Sequence, residues 1–211
     1  MEKTGQIFEF RGVDKCYIAE VIVDDTENYK CGIPIKLDVQ EVGKATDSSS
    51  ETHYYNNKAV IVINSEGADT VTLIAAPPDL KTYAKITGKS FDETTGMMVE
   101  GPKKEKYYAL MYRTKGTDGY YRYVVRNKGT FNIPEESVKT EDNGTETTNT
   151  TFTYTGIFTE HEFKKGVLNE DGTWEKAAVK GIVLDERYAK ADLKNIFDNV
   201  PTSDTVTALE G

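Results

Sequence analysis

Apolar side chains recur at every second residue over much of this chain, and this period of two constrains its fold more than any other feature. Residues 33–40 show it most clearly, with apolar and polar residues in alternation (IPIKLDVQ). A period of two places alternate side chains on opposite faces of a strand, so a half-buried β-strand is predicted here. The continuous apolar run AVIVI at 59–63 is predicted as a strand covered on both faces. Further runs rich in Val, Ile, Thr and Tyr, which favour strands, occur at 17–23, 70–75, 107–114 and 120–126.

Two segments have the spacing of a helix instead. Residues 77–87 begin with Pro-Pro-Asp, carry apolar or small residues along one face, and are followed by Gly88, a typical helix end. Residues 188–199 carry a similar face and are followed by Pro201. Two short helices among many strands predict a mainly β fold: an antiparallel β-sandwich, or sheets that can form a barrel, flanked by a helix. The length predicts a single domain, residues 1–211.

Residues 43–58 (GKATDSSSETHYYNNK) are rich in Ser, Thr and Asn and are predicted to form a long loop. A loop of this length in a compact domain usually has a function or is disordered. The tail, residues 201–211, is predicted to be flexible.

Charge is divided into two blocks of opposite sign. Residues 103–128 hold eight basic and two acidic side chains, and residues 133–162 hold seven acidic and one basic side chain. Such blocks either pair between strands or subunits, or form two solvated faces. The formal net charge of −9 gives the chain no overall attraction for nucleic acid.

Sequence motifs for catalysis are missing: there is no GxSxG, no HExxH and no complete P-loop, so we expect no enzyme and no cofactor. Cys16 and Cys31 form no CxxC pair and are expected to stay reduced. No apolar run approaches the roughly 18 residues of a membrane span, and the first residues lack the apolar core of a signal peptide. We therefore expect synthesis in the cytoplasm and no membrane partner.

Two strand-like segments alternate aromatic and cationic side chains. The tyrosines are Tyr107, Tyr108, Tyr112, Tyr120, Tyr121 and Tyr123, and the arginines are Arg113, Arg122 and Arg126. Such a sheet can stack the bases of single-stranded nucleic acid. The same pattern also occurs in ordinary sandwiches whose arginines extend along the rim.

Residues 146–158 predict a strand with two different faces. Phe152, Tyr154 and Phe158 form an apolar face. Asn149, Thr151, Thr153 and Thr155 form a polar face without charge. One side is expected in a core and the other against water. A neutral polar surface does not attract phosphate, although an ordinary solvent-facing strand explains it equally well.

The order of these elements and several local phrases resemble the major tail proteins, or tail tube proteins, of long-tailed, non-contractile phages. The phrases are FEFRGVDKCYIAEV near the start, SSSETHYYNNKAV, TVTLIAAPPDLKTYAKITG, DETTGMMVE, YYALMYRT, YYRYVVRNKGTF and DLKNIF. The resemblance covers roughly residues 5–200, and residues 160–180 have no clear counterpart. The same tube fold serves contractile tails, phage-derived bacteriocins and type VI secretion.

The resemblance implies a β-sandwich with a flanking helix that assembles into rings, typically hexameric, which stack into a tube. One sheet of each subunit joins its neighbours around a lumen, a long loop reaches the next ring, and terminal arms brace the contacts. The tube guides DNA during ejection. The implied partners are further copies of the chain, the tape-measure protein and the tail tip and terminator proteins, and the implied location is the virion tail.

Three sets of candidate residues follow. The stacking loop is placed at 43–58, with Ser48, Ser49, Ser50, His53, Tyr54 and Tyr55. Charge pairing between subunits is assigned to Arg113, Arg122, Arg126, Glu135, Glu136 and Glu141. The lumen lining is assigned to Asn149, Thr151, Thr153 and Thr155. The alternative is a monomeric β-sandwich that binds single-stranded nucleic acid or carbohydrate.

Overall fold

The computed structural model describes residues 7–56, 58–135 and 149–209. These residues form thirteen β-strands and one α-helix. In chain order the elements are β1 (Phe10–Asp24), β2 (Tyr29–Cys31), β3 (Ile35–Lys36), β4 (Val39–Tyr55), β5 (Lys58–Ala75), α1 (Leu80–Thr87), β6 (Ser90–Asp92), β7 (Met97–Val99), β8 (Tyr108–Gly116), β9 (Tyr121–Phe131), β10 (Thr150–Ile157), β11 (Glu162–Leu168), β12 (Trp174–Ala178) and β13 (Gly181–Asp185).

Nine of the strands in the described part of the chain form one sheet with the order β2-β1-β8-β9-β10-β5-β4. Off this order, β3 also pairs with β1, and β13 also pairs with β9. The pairs are antiparallel, as are the two small hairpins β6–β7 and β11–β12. The mainly β, antiparallel fold predicted from the period of two is therefore confirmed.

The sheet curls so that its two ends approach each other across a core. The segment between β3 and β4 joins them, because Leu37 N donates to Cys16 O (2.9 Å) and Ala76 N donates to Asp38 O (2.8 Å). The strand predicted over 33–40 is interrupted at this crossing. The buried aromatic and aliphatic side chains of the core come from β1, β5, β8, β9 and β10, and include Ile18, Leu73, Tyr108, Leu110, Phe131, Phe152 and Tyr154.

Helix α1 covers this core and begins three residues later than predicted. Asp79 precedes its first turn and accepts hydrogen bonds from Thr82 N (3.0 Å) and Thr82 Oγ1 (2.6 Å), which satisfies an amide that has no partner within the helix. The helix ends at Gly88, whose φ of 70° is left-handed. Ile86 lies in the core, and the Tyr108 hydroxyl donates to Lys85 O at 2.5 Å.

The helix predicted at 188–199 is wrong, because these residues form turns. Their apolar side chains nevertheless pack against the sheet as the spacing suggested, with Phe197 buried and the other three partly buried. Leu193, Ile196, Phe197 and Val200 cover the second face of β8, β9 and β13, where Phe197 stacks on Tyr17 at 5.0 Å between ring centroids. Asp192 accepts a hydrogen bond from Lys194 N (2.9 Å), a local bond that competes with helical geometry.

The tail continues in contact with the body as far as the structure describes it. Pro201 and Thr202 are buried, and the Asp204 carboxylate accepts hydrogen bonds from Lys164 N and Lys165 N, both at 3.0 Å. Residues 210–211 lie outside the described residues. The flexibility predicted for 201–211 stays a prediction.

Candidate assembly surfaces

Strands β4 and β5 form a two-stranded ribbon that extends beyond the sheet. β10 borders β5 only from Asp69 to Ala75. On the N-terminal side of Asp69, among the residues that the structure describes, β5 pairs with β4 alone, as far as the pair Tyr55–Lys58. We call residues 47–56 and 58–67 the arm. At about 3.3 Å per residue the arm is roughly 30 Å long.

The loop predicted at 43–58 is wrong, because β4 continues as a strand to Tyr55. Its outer half has solvent on both faces, so the alternation that marks a half-buried strand is missing and its Ser and Thr residues resemble a loop. The six candidate stacking residues lie on the arm. Ser48, Ser49, Ser50, Tyr54 and Tyr55 are exposed, and His53 is half-buried.

The opposite strand of the arm carries the AVIVI run. The sequence predicted a strand covered on both faces. The strand is confirmed, but in the single subunit both of its faces are exposed to solvent. Val60, Ile61, Val62 and Ile63 are 61%, 45%, 56% and 54% exposed. Ile61 lies opposite His53 and Ile63 opposite Glu51, whereas Val62 lies opposite Thr52, so each face of the arm presents two of the four side chains. An unbroken β-branched run was the signal for this surface, although the sequence placed it in a core.

The three candidate arginines have carboxylate partners within the chain. The pairs are Arg113 Nε to Asp14 Oδ1 (2.9 Å), Arg122 Nε to Asp185 Oδ2 (3.0 Å) and Arg126 Nε to Asp69 Oδ2 (2.7 Å). Glu135 is exposed, and Glu136 and Glu141 lie outside the described residues. Charge pairing between subunits stays a prediction, and these arginines do not depend on it for neutralisation.

The tyrosines on these strands are poorly placed to stack bases. Tyr108, Tyr112 and Tyr123 are buried. Tyr121 is half-buried, and the Arg113 guanidinium covers its ring at 4.0 Å. The structure therefore places much of the aromatic pattern inside the protein, and the stacking surface suggested by the sequence is wrong for these residues.

Strand β10 has the two faces that its sequence predicted. Phe152 and Tyr154 are fully buried, and the Tyr154 hydroxyl donates to Tyr108 O at 2.9 Å. Thr151 and Thr155 are exposed and Thr153 is half-buried. Asn149 is exposed before the strand begins, where its side-chain amide donates to Gln40 Oε1 at 2.6 Å. Phe158 lies beyond the strand and is half exposed.

A buried charge cluster lies where the arm joins the sheet. Asp69 is 2% exposed and accepts a hydrogen bond from Thr46 Oγ1 at 2.8 Å. Its carboxylate also lies 2.7 Å from Arg126, 3.5 Å from Lys44 and 3.6 Å from Lys180. Burial by itself raises the pKa of Asp69, but the Thr46 hydrogen bond and the three cations together outweigh burial. The pKa of Asp69 is therefore lower than that of an ordinary aspartate.

Residues 44–180 match the family model of the phage tail tube protein. The chain belongs to this family. The match spans well over half of the chain and includes the arm, α1 and strands β5 to β12. A search of curated proteins gives no match. The chain is therefore a structural tail tube protein of a bacteriophage, a protein that self-assembles into a tube and is located in the virion tail.

This tail tube protein carries a further hairpin within the matched region. Residues 160–180, for which the resemblance seen in the sequence gave no clear counterpart, contain β11 and β12. Leu168 lies opposite Trp174 near the tip, and both side chains are about half exposed, as is that of Val167. A tight turn over residues 169–173 closes this hairpin, since Asn169 N donates to Thr173 O at 2.9 Å and Gly172 has a φ of 84°.

Metal ligands and membrane-spanning segments can be assessed over residues 7–56, 58–135 and 149–209. In that part of the chain, no three side chains of His, Cys, Asp or Glu form a group that could hold a metal ion. The helix it contains is too short to cross a membrane. Cys16 and Cys31 are free thiols.

Proposed function

We propose that this protein forms hexameric rings that stack into the tail tube, and that the arm makes the contact between successive rings. The single observation that supports this is the exposure of Val60, Ile61, Val62 and Ile63 on a ribbon that leaves the sheet. A two-stranded ribbon is only marginally stable in water by itself. Its free edges are available to pair with another chain.

Covering the apolar side chains of the arm contributes favourable free energy to assembly. Full burial of a Val or Ile side chain contributes about 1.5–3 kcal/mol, so covering side chains that are about half exposed contributes about 1 kcal/mol each. The four aliphatic residues together contribute roughly 4 kcal/mol per arm. A ring presents several arms at once, and linked contacts of this kind reinforce one another.

The neutral face of β10 is the proposed lining of the lumen, through which DNA passes during ejection. Thr151, Thr153 and Thr155 carry no charge and would neutralise no phosphates. Each cation on such a surface would add a phosphate contact and release counterions, which slows sliding. The tape-measure protein and the tail tip and terminator proteins are the proposed partners in tail assembly, after synthesis in the host cytoplasm.

Negative-stain electron microscopy and sedimentation of the purified protein at high concentration test the role of the arm. The wild type should form rings or hollow tubes, with six-fold class averages. The double variant I61S/I63S, which changes one face of the arm, should remain monomeric at that concentration with an unchanged thermal midpoint. Ile133, exposed to a similar extent on another part of the surface, provides the matched control I133S, which should assemble.

Assembly of I61S/I63S at the wild-type concentration would refute the proposed contact. A different rotational symmetry in the class averages would refute the hexamer. Persistent monomers of the wild type that bind single-stranded DNA or a glycan would instead favour the monomeric binding module.

A further inference from the structure

The structure assigns Lys180 as a positioning residue that sets the direction of the arm. It lies after β12, far from the arm in sequence, and binds the point at which the arm leaves the sheet. This inference rests on the proposed role of the arm in assembly and adds a residue on which that role depends.

A β-bulge marks the base of the arm. Thr46 lies opposite Asp69, but Ser48 lies opposite Glu66, so β5 contains one residue more than β4 between these two pairs. A bulge bends its strand, increases the local twist and leaves backbone groups unpaired. A Cβ on Gly67 would lie 3.1 Å from the Asp47 Cβ, which shows how closely the two strands approach here. The direction of the arm is therefore determined at this bulge.

Lys180 binds acceptors on both sides of the bulge. Its ammonium donates to Gly67 O at 2.6 Å and to the Glu66 carboxylate, and it lies 3.6 Å from Asp69 Oδ1. A lysine ammonium has three donors and no acceptor, so one group can hold three oxygens at once. The side chain is 8% exposed, which strengthens these contacts relative to a pair in open water.

The rest of Lys180 is held by the body of the protein. Its carbonyl accepts a hydrogen bond from Asn127 N at 2.8 Å, on β9. Its ammonium lies 5.1 Å from the centroid of the Phe158 ring. The next residue, Gly181, approaches β9 so closely that a Cβ there would lie 1.9 Å from Val125 O. One side chain thus connects the base of the arm to a fixed point on the sheet.

Loss of Lys180 should release the arm without unfolding the subunit. Asp69 would keep Arg126 at 2.7 Å and the Thr46 hydroxyl at 2.8 Å, so its charge would remain compensated. Gly67 O and Glu66 would lose their contact with the body. The expected consequence is an arm that samples a wider range of directions and finds the next ring less often.

The test measures the direction of the arm in the monomer, by electron spin distance measurements below the assembly concentration. Spin labels are placed at S50C on the arm and T94C in the turn between β6 and β7, in a C31S background. Both labelled positions are exposed. The wild type should give a narrow distance distribution, K180M a distribution broader by several ångströms, and K180R the narrow distribution, because arginine keeps the charge and the donors.

The same variants without labels are then assembled. K180M should need at least tenfold more protein to form tubes, and K180R should be within threefold of wild type. E66A removes one exposed acceptor and should broaden the distance distribution in the same direction, which provides the measurement if K180M does not fold.

The two proposals fail separately in this design. A narrow distance distribution in K180M, or in E66A if K180M does not fold, overturns the role of Lys180 whatever happens to assembly. A broad distribution combined with unchanged assembly supports the positioning role and overturns the contribution of the arm to stacking.

Discussion

Removing the Arg126 guanidinium should destabilise the monomer far more than removing that of Arg113. Arg126 is 7% exposed and Asp69 is 2% exposed, so this ion pair lies out of water. Arg113 and Asp14 are paired closer to the surface, where the Asp14 side chain is 41% exposed. Because water screens the outer pair and not the inner one, R126M and R113M form a matched comparison.

The magnitude follows from what each substitution leaves behind. Breaking a buried ion pair by removing one partner costs about 3–5 kcal/mol, because a charge is left uncompensated. Asp69 would retain the Thr46 hydroxyl and the ammonium groups of Lys44 and Lys180, so we expect about 3 kcal/mol for R126M, the lower end of that range. A pair that is in contact with water contributes about 1 kcal/mol or less, which is the loss expected for R113M.

Urea unfolding followed by far-ultraviolet circular dichroism, at a concentration that does not permit assembly, gives both values. A double-mutant cycle with D69N isolates the contribution of the pair, since neighbouring charges do not act additively. We expect a coupling energy of at least about 1 kcal/mol between R126M and D69N. Equal losses for R126M and R113M, or additive effects in the cycle, would refute the reasoning.

Two further predictions concern titration. Burial raises the pKa of Asp24, but hydrogen bonds from Lys128 and two backbone amides outweigh burial, so the pKa lies below its ordinary value. The stability that ionised Asp24 contributes is therefore complete above the ordinary pKa of about 4 and is lost as the pH falls below that value. D24N should flatten the dependence of the urea midpoint on pH below about 5, and an unchanged slope would contradict this. Burial raises the pKa of the thiol of Cys16 to about 12 and that of Cys31 to about 11, so both should react slowly with iodoacetamide at pH 8 in the folded monomer and rapidly in urea; fast labelling of the native protein at Cys16 would exclude the burial described here.

The sequence predicted β10 because one face of this strand is buried and the other faces water. Phe152 and Tyr154 alternate with threonines, and the structure buries the first pair and leaves the threonines at the surface. The end of α1 at Gly88 and the turn at Gly172 also depend on local sequence, since both residues adopt the left-handed geometry that glycine permits. Where burial depends only on which face of its own strand a side chain occupies, the period of two is enough to predict it.

The helix at 188–199 failed for a different reason. Its spacing correctly identified the side chains that pack against the sheet, but a short helix is marginal without tertiary support. Here the tertiary contacts favour turns, with Phe197 against Tyr17 and Tyr123. The buried charge cluster at Asp69 was also beyond prediction, because Lys44, Arg126 and Lys180 converge on it from three distant parts of the sequence.

Two predictions failed on the arm: the loop at 43–58, and the burial of the AVIVI run at 59–63. We attribute both failures to contacts that the arm makes only in the assembled tube. The run AVIVI predicted a strand covered on both faces, yet in the monomer its two faces are open. Packing within the chain does not account for four β-branched side chains kept on a ribbon in water, where such a surface favours association with another chain. If the arm is covered in the tube, the sequence pattern described the environment of these residues correctly for the polymer and wrongly for the subunit. The net charge of −9 per chain opposes association, so the contact that overcomes it has to be apolar and local, as the outer half of the arm is.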